Sequence, residues 1–392
     1  MLNRRTLLGA GLASTAFVVA PARAWERPFD TANARMDGLQ DVETPLLSAT
    51  TLHATQVAAE TYARWANEGG WPKYPFTQRL SLGAQGEQAS WLRQRLALTA
   101  DLASQYRSGD VVDSFVDAAI RLFQARHGLA VDGVAGAATY EALNYPAEDR
   151  ARSLAANAPR LQAALVEDRR QVTVNVPAAQ IEMVEDGAVV LRQSAVVGQP
   201  NRATPLLSSS IHEVNFNPYW HVPKSIIRRD IIPIIRKDPG YLTRMGMRIH
   251  TGNWKEVSPS SIDWNTDEAT NYMFRQEPGS RNALGRVRIN FANRHSVYLH
   301  DTPDPGLFGD ASRFHSSGCV RVQRIPEFVT WLLKETPGWS AETVAEFLGN
   351  GQRRDVTISK PVPVHFVYIT AWGVPASPAQ FRKDIYDLVD RS

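Results

Sequence analysis

An interrupted β pattern constrains this chain more than any other feature. Residues 171–176 (QVTVNV) alternate polar and apolar side chains, the period of a strand with one buried face. Pro177 ends that run. Residues 181–184 and 189–191 flank Asp186-Gly187, a hairpin signal. Residues 194–197 continue the sheet, Gly198-Gln199-Pro200 turns it, and 211–216 read as another strand. The alternation resumes at 287–291 (VRINF) and again at 364–369. Between the two halves lies a stretch of different character, residues 218–285. It holds Tyr219, Trp220, Trp254, Trp264, Tyr272 and Phe274, with Arg228, Arg229, Arg236, Lys237 and Arg275 among them. A long insertion into a β domain reads as a lid or substrate cap. Its aromatic residues either form the insertion's own small core or face a ligand.

The second half of that β domain carries the chemistry. Val297-Tyr298-Leu299 reads as a strand that delivers His300, and nineteen positions later comes Cys319, the one cysteine in 392 residues. Alone, a cysteine is usually a small buried apolar side chain and a histidine usually a structural one. Here the surroundings are polar and turn-like: His315-Ser316-Ser317-Gly318-Cys319. A thiol needs a base or a positive neighbour to become a nucleophile near neutral pH. His300 is the candidate base. Backbone N–H groups of the His315-Ser316-Ser317-Gly318-Cys319 run are candidate donors to an oxyanion, and Gly318 permits close backbone approach. Arg321 either lowers the thiol pKa, holds a substrate carboxylate, or makes a structural ion pair. After the loop, Ile325, Phe328, Val329, Leu332 and Leu333 mark a helix, with Pro326 in its first turn.

Ahead of the β domain the reading is helical. Residues 1–24 have the layout of an export signal: Arg4-Arg5, an apolar run over 7–20, and Ala22-Arg23-Ala24 as a cleavage site. The arginine pair fits either twin-arginine or general secretory export, and an uncleaved signal would act as an anchor. Those 24 residues hold three arginines and no acid, so without them the formal charge falls from +3 to zero. Nucleic-acid binding thereby loses its compositional support. No Cys/His set has metal-ligand spacing, and no cofactor motif is present. In an oxidising compartment cysteines usually pair, so one left alone is intermolecular, incidental or reactive. Residues 25–80 form a lead-in with a helix over 58–67. Residues 81–146 read as a compact helical module, with helices near 92–96, 114–127 and 139–143. Residues 147–170 read as a charged linker helix with a solvated face.

Two resemblances follow from these residues. Phe123-Gln124, His127-Gly128-Leu129, Asp132-Gly133, Gly136, Thr139 and Leu143-Asn144 resemble the three-helix peptidoglycan-binding domain. That likeness implies either glycan binding or a module that only positions its neighbour. Ser316-Ser317-Gly318-Cys319-Val320-Arg321, with His300 upstream and Thr204-Pro205 earlier, resembles the motif of L,D-transpeptidases with the YkuD-type fold. The order of module, β domain and insertion resembles the large Gram-negative, YcbB-like subgroup with a substrate cap. Two positions depart from the family pattern: Ser317 stands where an inner histidine is usual, and Asp301 where a glycine follows the base. The implied fold is α+β and multidomain, a three-helix module followed by a mostly β catalytic domain over 171–390. The implied reaction is acyl transfer between peptidoglycan stem peptides in the periplasm. Cys319 would be the nucleophile, open to carbapenem acylation, and His300 the base and then acid. Ser316, Ser317 and Gly318 would support the loop and oxyanion, and Arg321, Tyr298, Trp220 and Tyr219 would contact substrate. A hydrolase of the same fold (carboxypeptidase or amidase) and a non-catalytic wall-binding protein remain open at this point.

Overall fold

A computed structural model describes residues 43–389. The expected export signal and the first part of the lead-in lie outside the described residues. Five helices open the described chain: α1 (Ala49–Asn67), α2 (Glu87–Leu98), α3 (Ser114–Arg126), α4 (Ala137–Leu143) and α5 (Ala147–Ala163). Helix α1 begins nine residues before the expected start. Ser48 explains this: its hydroxyl accepts the Thr51 N–H at 3.1 Å, a cap worth about 1 kcal/mol, which offsets the β-branched threonines of the first turn.

Helices α2, α3 and α4 enclose a small core of Leu92, Leu96, Val116, Ile120, Phe123 and Leu143, all essentially solvent-free. The residues that carry the first resemblance have a structural job here. The buried Gln124 amide donates to Asp132 Oδ1 (2.8 Å) and the Val134 carbonyl (3.0 Å). Its oxygen accepts the N–H groups of Asp132 and Gly133. One α3 side chain thus pins the whole turn before α4, since each lost bond would strand a buried polar group.

An ion pair between Arg126 and Asp101, 1% and 0% exposed, lies beneath this module. Two parallel bonds of 2.5 and 2.6 Å join them, and Arg126 also donates to the Ala379 carbonyl at 3.1 Å. Asp101→Ala would leave a buried guanidinium without its counter-ion. It is expected to destabilise the protein by about 3–5 kcal/mol, read as a lower urea midpoint. An unchanged midpoint would mean the cation is not anchored by Asp101.

Helix α5 is not the solvated linker that its charges imply. Leu154, Asn157 and Leu161 are fully buried, and α5 packs along α1. The Asn157 side chain bonds both the N–H and the hydroxyl of Thr370, each at 2.9 Å. Arg150 stacks over Tyr145 and Phe381. Charged residues outnumber the narrow apolar stripe, and that masks it in the sequence.

The strands follow in order: β1 (Arg170–Asn175), β2 (Gln180–Glu185), β3 (Ala188–Gly198), β4 (Leu207–Phe216), β5 (Trp220–Val222), β6 (Met247–His250), β7 (Glu256–Val257), β8 (Met273–Gln276), β9 (Val287–Phe291), β10 (Leu299–His300), β11 (Phe314–Ser316), β12 (Val320–Val322), β13 (Arg354–Val367), β14 (Ala371–Val374) and β15 (Ser377–Phe381). The main sheet runs β11-β3-β12-β10-β9-β4-β13-β1-β2, and β2 also pairs with β3. Eight of its strands therefore close into a barrel, a size at which side chains fill the interior. Val172, Val174, Ile211, Ile289, Leu299 and Val364 belong to that core. Helix α6 (Ile325–Leu333), set directly after β12, packs its apolar stripe on the same core.

Phe216 at the end of β4 pairs with Val287 at the start of β9. The chain leaves and re-enters the barrel at one place, so 217–286 form an outgrowth that leaves the barrel intact. The outgrowth holds more sheet than the sequence implies: a four-stranded antiparallel sheet in the order β5-β8-β6-β7. Against it lies a helical run that includes a π turn, Ile227–Ile231. Ile227, Ile231, Ile249, Phe274 and Leu284 form its own core. Among the described residues no helix is long and apolar enough to cross a membrane.

Candidate active site

Barrel register brings the sulfur and the imidazole together. Strands β10 and β12 are parallel neighbours, with Leu299 opposite Val320 and His300 opposite Arg321. Leu299 and Val320 are fully buried in the barrel core. Side chains alternate across a strand, so Tyr298, His300, Cys319 and Arg321 all face the other way. That second face lines a cavity of about 430 Å³. Trp220, Pro223 and Ile226 of the outgrowth also line it, together with Ser316 and Ser317. The outgrowth is thus a cap over the thiol.

Burial sets the resting protonation. It pushes the Cys319 thiol up to about 11, although donors from the Tyr298 backbone and hydroxyl, and the charges of Arg321 and Arg288, pull the other way. Burial, with Arg321 nearby, lowers His300 to about 3. The pair therefore rests as neutral thiol and neutral imidazole. His300 Nδ1 lies 2.6 Å from the Asp301 carbonyl. A carbonyl only accepts, so Nδ1 carries the proton and Nε2 keeps a free lone pair. Burial, with Cys319 beside it, pushes the Tyr298 hydroxyl well above its ordinary value, and Tyr298 and Trp220 of the cap line the cavity together.

Asp301, the residue after His300, is a clamp. Its N–H donates to the Val287 carbonyl at 3.0 Å, and its carboxylate accepts the Arg286 N–H at 2.9 Å. Both bonds fix the end of β10 to the point where the cap re-enters the barrel.

The loop that carries Cys319 is shaped from inside. The buried Ser316 hydroxyl donates to the Cys319 carbonyl and accepts the Gly318 N–H at 3.1 Å. That N–H is engaged within the loop, so it is not a free oxyanion donor, and Ser316 and Gly318 give the loop the support expected of them. Gly318 has φ +115°, a region that side-chain-bearing residues avoid. Thr204, on the segment after β3, holds the loop from behind. Its hydroxyl donates to the Gly318 carbonyl and accepts the Gly198 N–H, each at 2.9 Å. Gly198 must lack a side chain, because a Cβ there would sit 2.3 Å from the Arg202 carbonyl.

Two contacts here escape sequence reasoning. The Tyr386 hydroxyl accepts the Thr204 N–H and donates to the Gly198 carbonyl. Tyr386 lies in a tail with no readable pattern. Arg202 donates to the Ser317 hydroxyl at 3.0 Å and clasps Asp230 of the cap's π turn at 2.7 and 2.9 Å. Ser317 is therefore a link between loop and cap. Arg321 donates to Thr302 at 3.4 Å, and among the described residues its buried Nε has no partner. Tyr219 is not part of the cavity wall; it lies under Arg275 and Arg353 on the outside of the cap. Among the described residues no group of three or more His, Cys, Asp or Glu is placed to hold a metal ion.

Comparison with known proteins places this geometry. Residues 169–344 match the YkuD family model, described as the L,D-transpeptidase catalytic domain. Residues 85–143 match a model described as "Putative peptidoglycan binding domain". A curated protein of Haemophilus influenzae, named "Putative L,D-transpeptidase", is 35% identical over 222 residues, 56% of this chain and 45% of that one. The chain thus matches less than half the length of that relative. Among solved structures, an L,D-transpeptidase from Xylanimonas cellulosilytica is 17% identical, with 74% of this chain and 98% of that one covered and a TM-score of 0.24. One from Stackebrandtia nassauensis is 15% identical, with 77% and 98% covered and a TM-score of 0.28.

Proposed function

We propose that this chain, which carries an L,D-transpeptidase catalytic domain beside a peptidoglycan-binding domain, cross-links peptidoglycan stem peptides through Cys319. The observation that supports it most is the capped cavity in which Cys319 and His300 project from neighbouring parallel strands. The donor is a tetrapeptide stem. Its third residue, diaminopimelate, presents a carbonyl to the sulfur. His300 Nε2 takes the thiol proton as the S–C bond forms, and the Cys319 N–H is the oxyanion donor we assign, since Gly318's is engaged. Breaking the C–N bond releases D-alanine, which leaves with the proton from His300. An amine of a second stem then attacks the thioester, loses its proton to His300, and restores the thiol. Arg321, with a free buried Nε, is the group we assign to a stem carboxylate. Architecture of module, barrel and cap favours the large capped subgroup of these enzymes. Export to the periplasm, from the composition of residues 1–24, belongs to the same proposal.

Incubation with a disaccharide-tetrapeptide and mass analysis of the products tests this reading. A cross-linked dimer one D-alanine lighter than two donors is expected. A trimmed monomer alone would mean the thioester goes to water and the protein is a hydrolase. Unchanged substrate would sink both.

A further inference from the structure

The outer face of the cap carries a second feature that the thiol chemistry does not use. Strand β5 is an edge strand whose three residues divide between two faces. Trp220 and Val222 point inward, and Trp220 lines the thiol cavity. His221 points outward, where it is in register with Arg275 and, one strand further, Arg248. Over this outer face stands Trp254, half of it open to solvent. The other described tryptophans are buried or half-buried. Most of the cap's remaining aromatic residues pack into its own core.

Trp254 is held, not loose. Its φ is +63°, a conformation that costs energy for a residue with a side chain and marks a position whose surroundings enforce it. A tight turn does the enforcing. Trp254 N–H donates to the Thr251 carbonyl at 3.0 Å, and Thr251 N–H to the Lys255 carbonyl at 2.9 Å. Lys255 N–H donates to the Thr251 hydroxyl at 3.2 Å. Behind the indole lie the rings of His221 at 5.8 Å and His250 at 5.4 Å, and the Arg275 guanidinium at 5.7 Å.

The two arginines that this sheet face carries in register with His221 are paired. Arg275 pairs with Glu277 at 2.8 Å, and Arg248 with Glu256 at 3.3 Å and Glu277 at 3.7 Å. A free anion would meet carboxylates here, and a cation would meet arginines. What fits is a neutral ligand with one apolar face and many hydroxyl or amide groups: the face stacks on the indole while the paired Arg and Glu groups donate and accept at its rim. A pyranose ring has that chemistry.

We propose that the outer face of the cap, centred on Trp254 with His221 and Arg275, is a binding platform for the glycan strand of peptidoglycan. This rests on the reaction proposed above. Because β5 is an edge, a stem hanging from a sugar outside can pass around it to the cavity on the other face.

Calorimetric titration of the whole protein with the N-acetylglucosamine tetramer, a neutral probe without peptide, tests the platform. Binding by the wild type, weakened at least tenfold in Trp254→Ala and partly kept in Trp254→Phe, is the expected result. An unchanged melting temperature in Trp254→Ala shows that the loss is local. Equal binding by wild type and Trp254→Ala would put the sugar elsewhere and overturn the proposal, as would no binding by the wild type. A carbapenem adduct is read on the wild type in parallel. An adduct without tetramer binding sinks the platform alone, and tetramer binding without an adduct sinks the thiol chemistry alone.

Discussion

Cys319→Ala is expected to abolish covalent adduct formation completely, while the wild-type protein gains the mass of one carbapenem. A β-lactam carbonyl is an activated analogue of the stem carbonyl, so the sulfur attacks it by the same first step, and the bond formed is stable enough to weigh. The variant loses little else. Cys319 is half-buried at the rim of the barrel core, so removing one sulfur costs about 1 kcal/mol or less of packing. The loop itself is held by Ser316, Thr204 and Gly318, none of which depends on the thiol. A folded variant with no adduct therefore isolates the nucleophile. Adduct on the variant would locate acylation elsewhere. No adduct on either protein would sink the acyl-enzyme reading and leave a wall-binding protein with an inert thiol.

Much of this site is legible in the sequence, and what is missing has physical causes. Alternation delivers β1 and β9, because one face of each lies in the barrel core. The helix after Cys319 is legible from its apolar spacing, and His300 and Cys319 stand out as the residues with nucleophilic chemistry. Closure of the barrel is not legible, since the β1–β13 and β3–β12 pairings join residues far apart in the chain. The cap's sheet is missed because β5 to β8 are two to four residues long, too short to show a period. Tyr386 and Arg202 are missed for another reason. Each acts through a hydrogen bond across more than a hundred residues, and no local pattern encodes that. One candidate oxyanion donor looks free in sequence and is not: the Ser316 hydroxyl occupies the Gly318 N–H in the fold.

His300→Gln is expected to slow carbapenem acylation by roughly 10²–10⁴-fold, the usual contribution of a positioned base, and to change how the rate depends on pH. In the wild type the imidazole titrates at about 3 and the thiol at about 11. Between pH 5.5 and 8.5 the first is therefore neutral and the second protonated, and neither changes state. Attack with proton transfer to His300 Nε2 then proceeds at a rate nearly independent of pH across that window. Without the imidazole only thiolate formed by itself can react. With a thiol pKa near 11 that is about one sulfur in a thousand at pH 8, falling tenfold for each unit of acidification. The variant's rate should therefore climb tenfold per pH unit where the wild type is flat. Glutamine keeps a side chain of similar size in a position that is 5% exposed, so the barrel remains packed. Stopped-flow measurement of acylation at five pH values decides the matter. A wild-type rate that also rises tenfold per unit would show that the thiolate reacts unaided, and a wild-type inflection near 6.5 would mean that His300 is solvated when it works. Either result would remove the neutral pair, and with it the role assigned to burial beneath the cap.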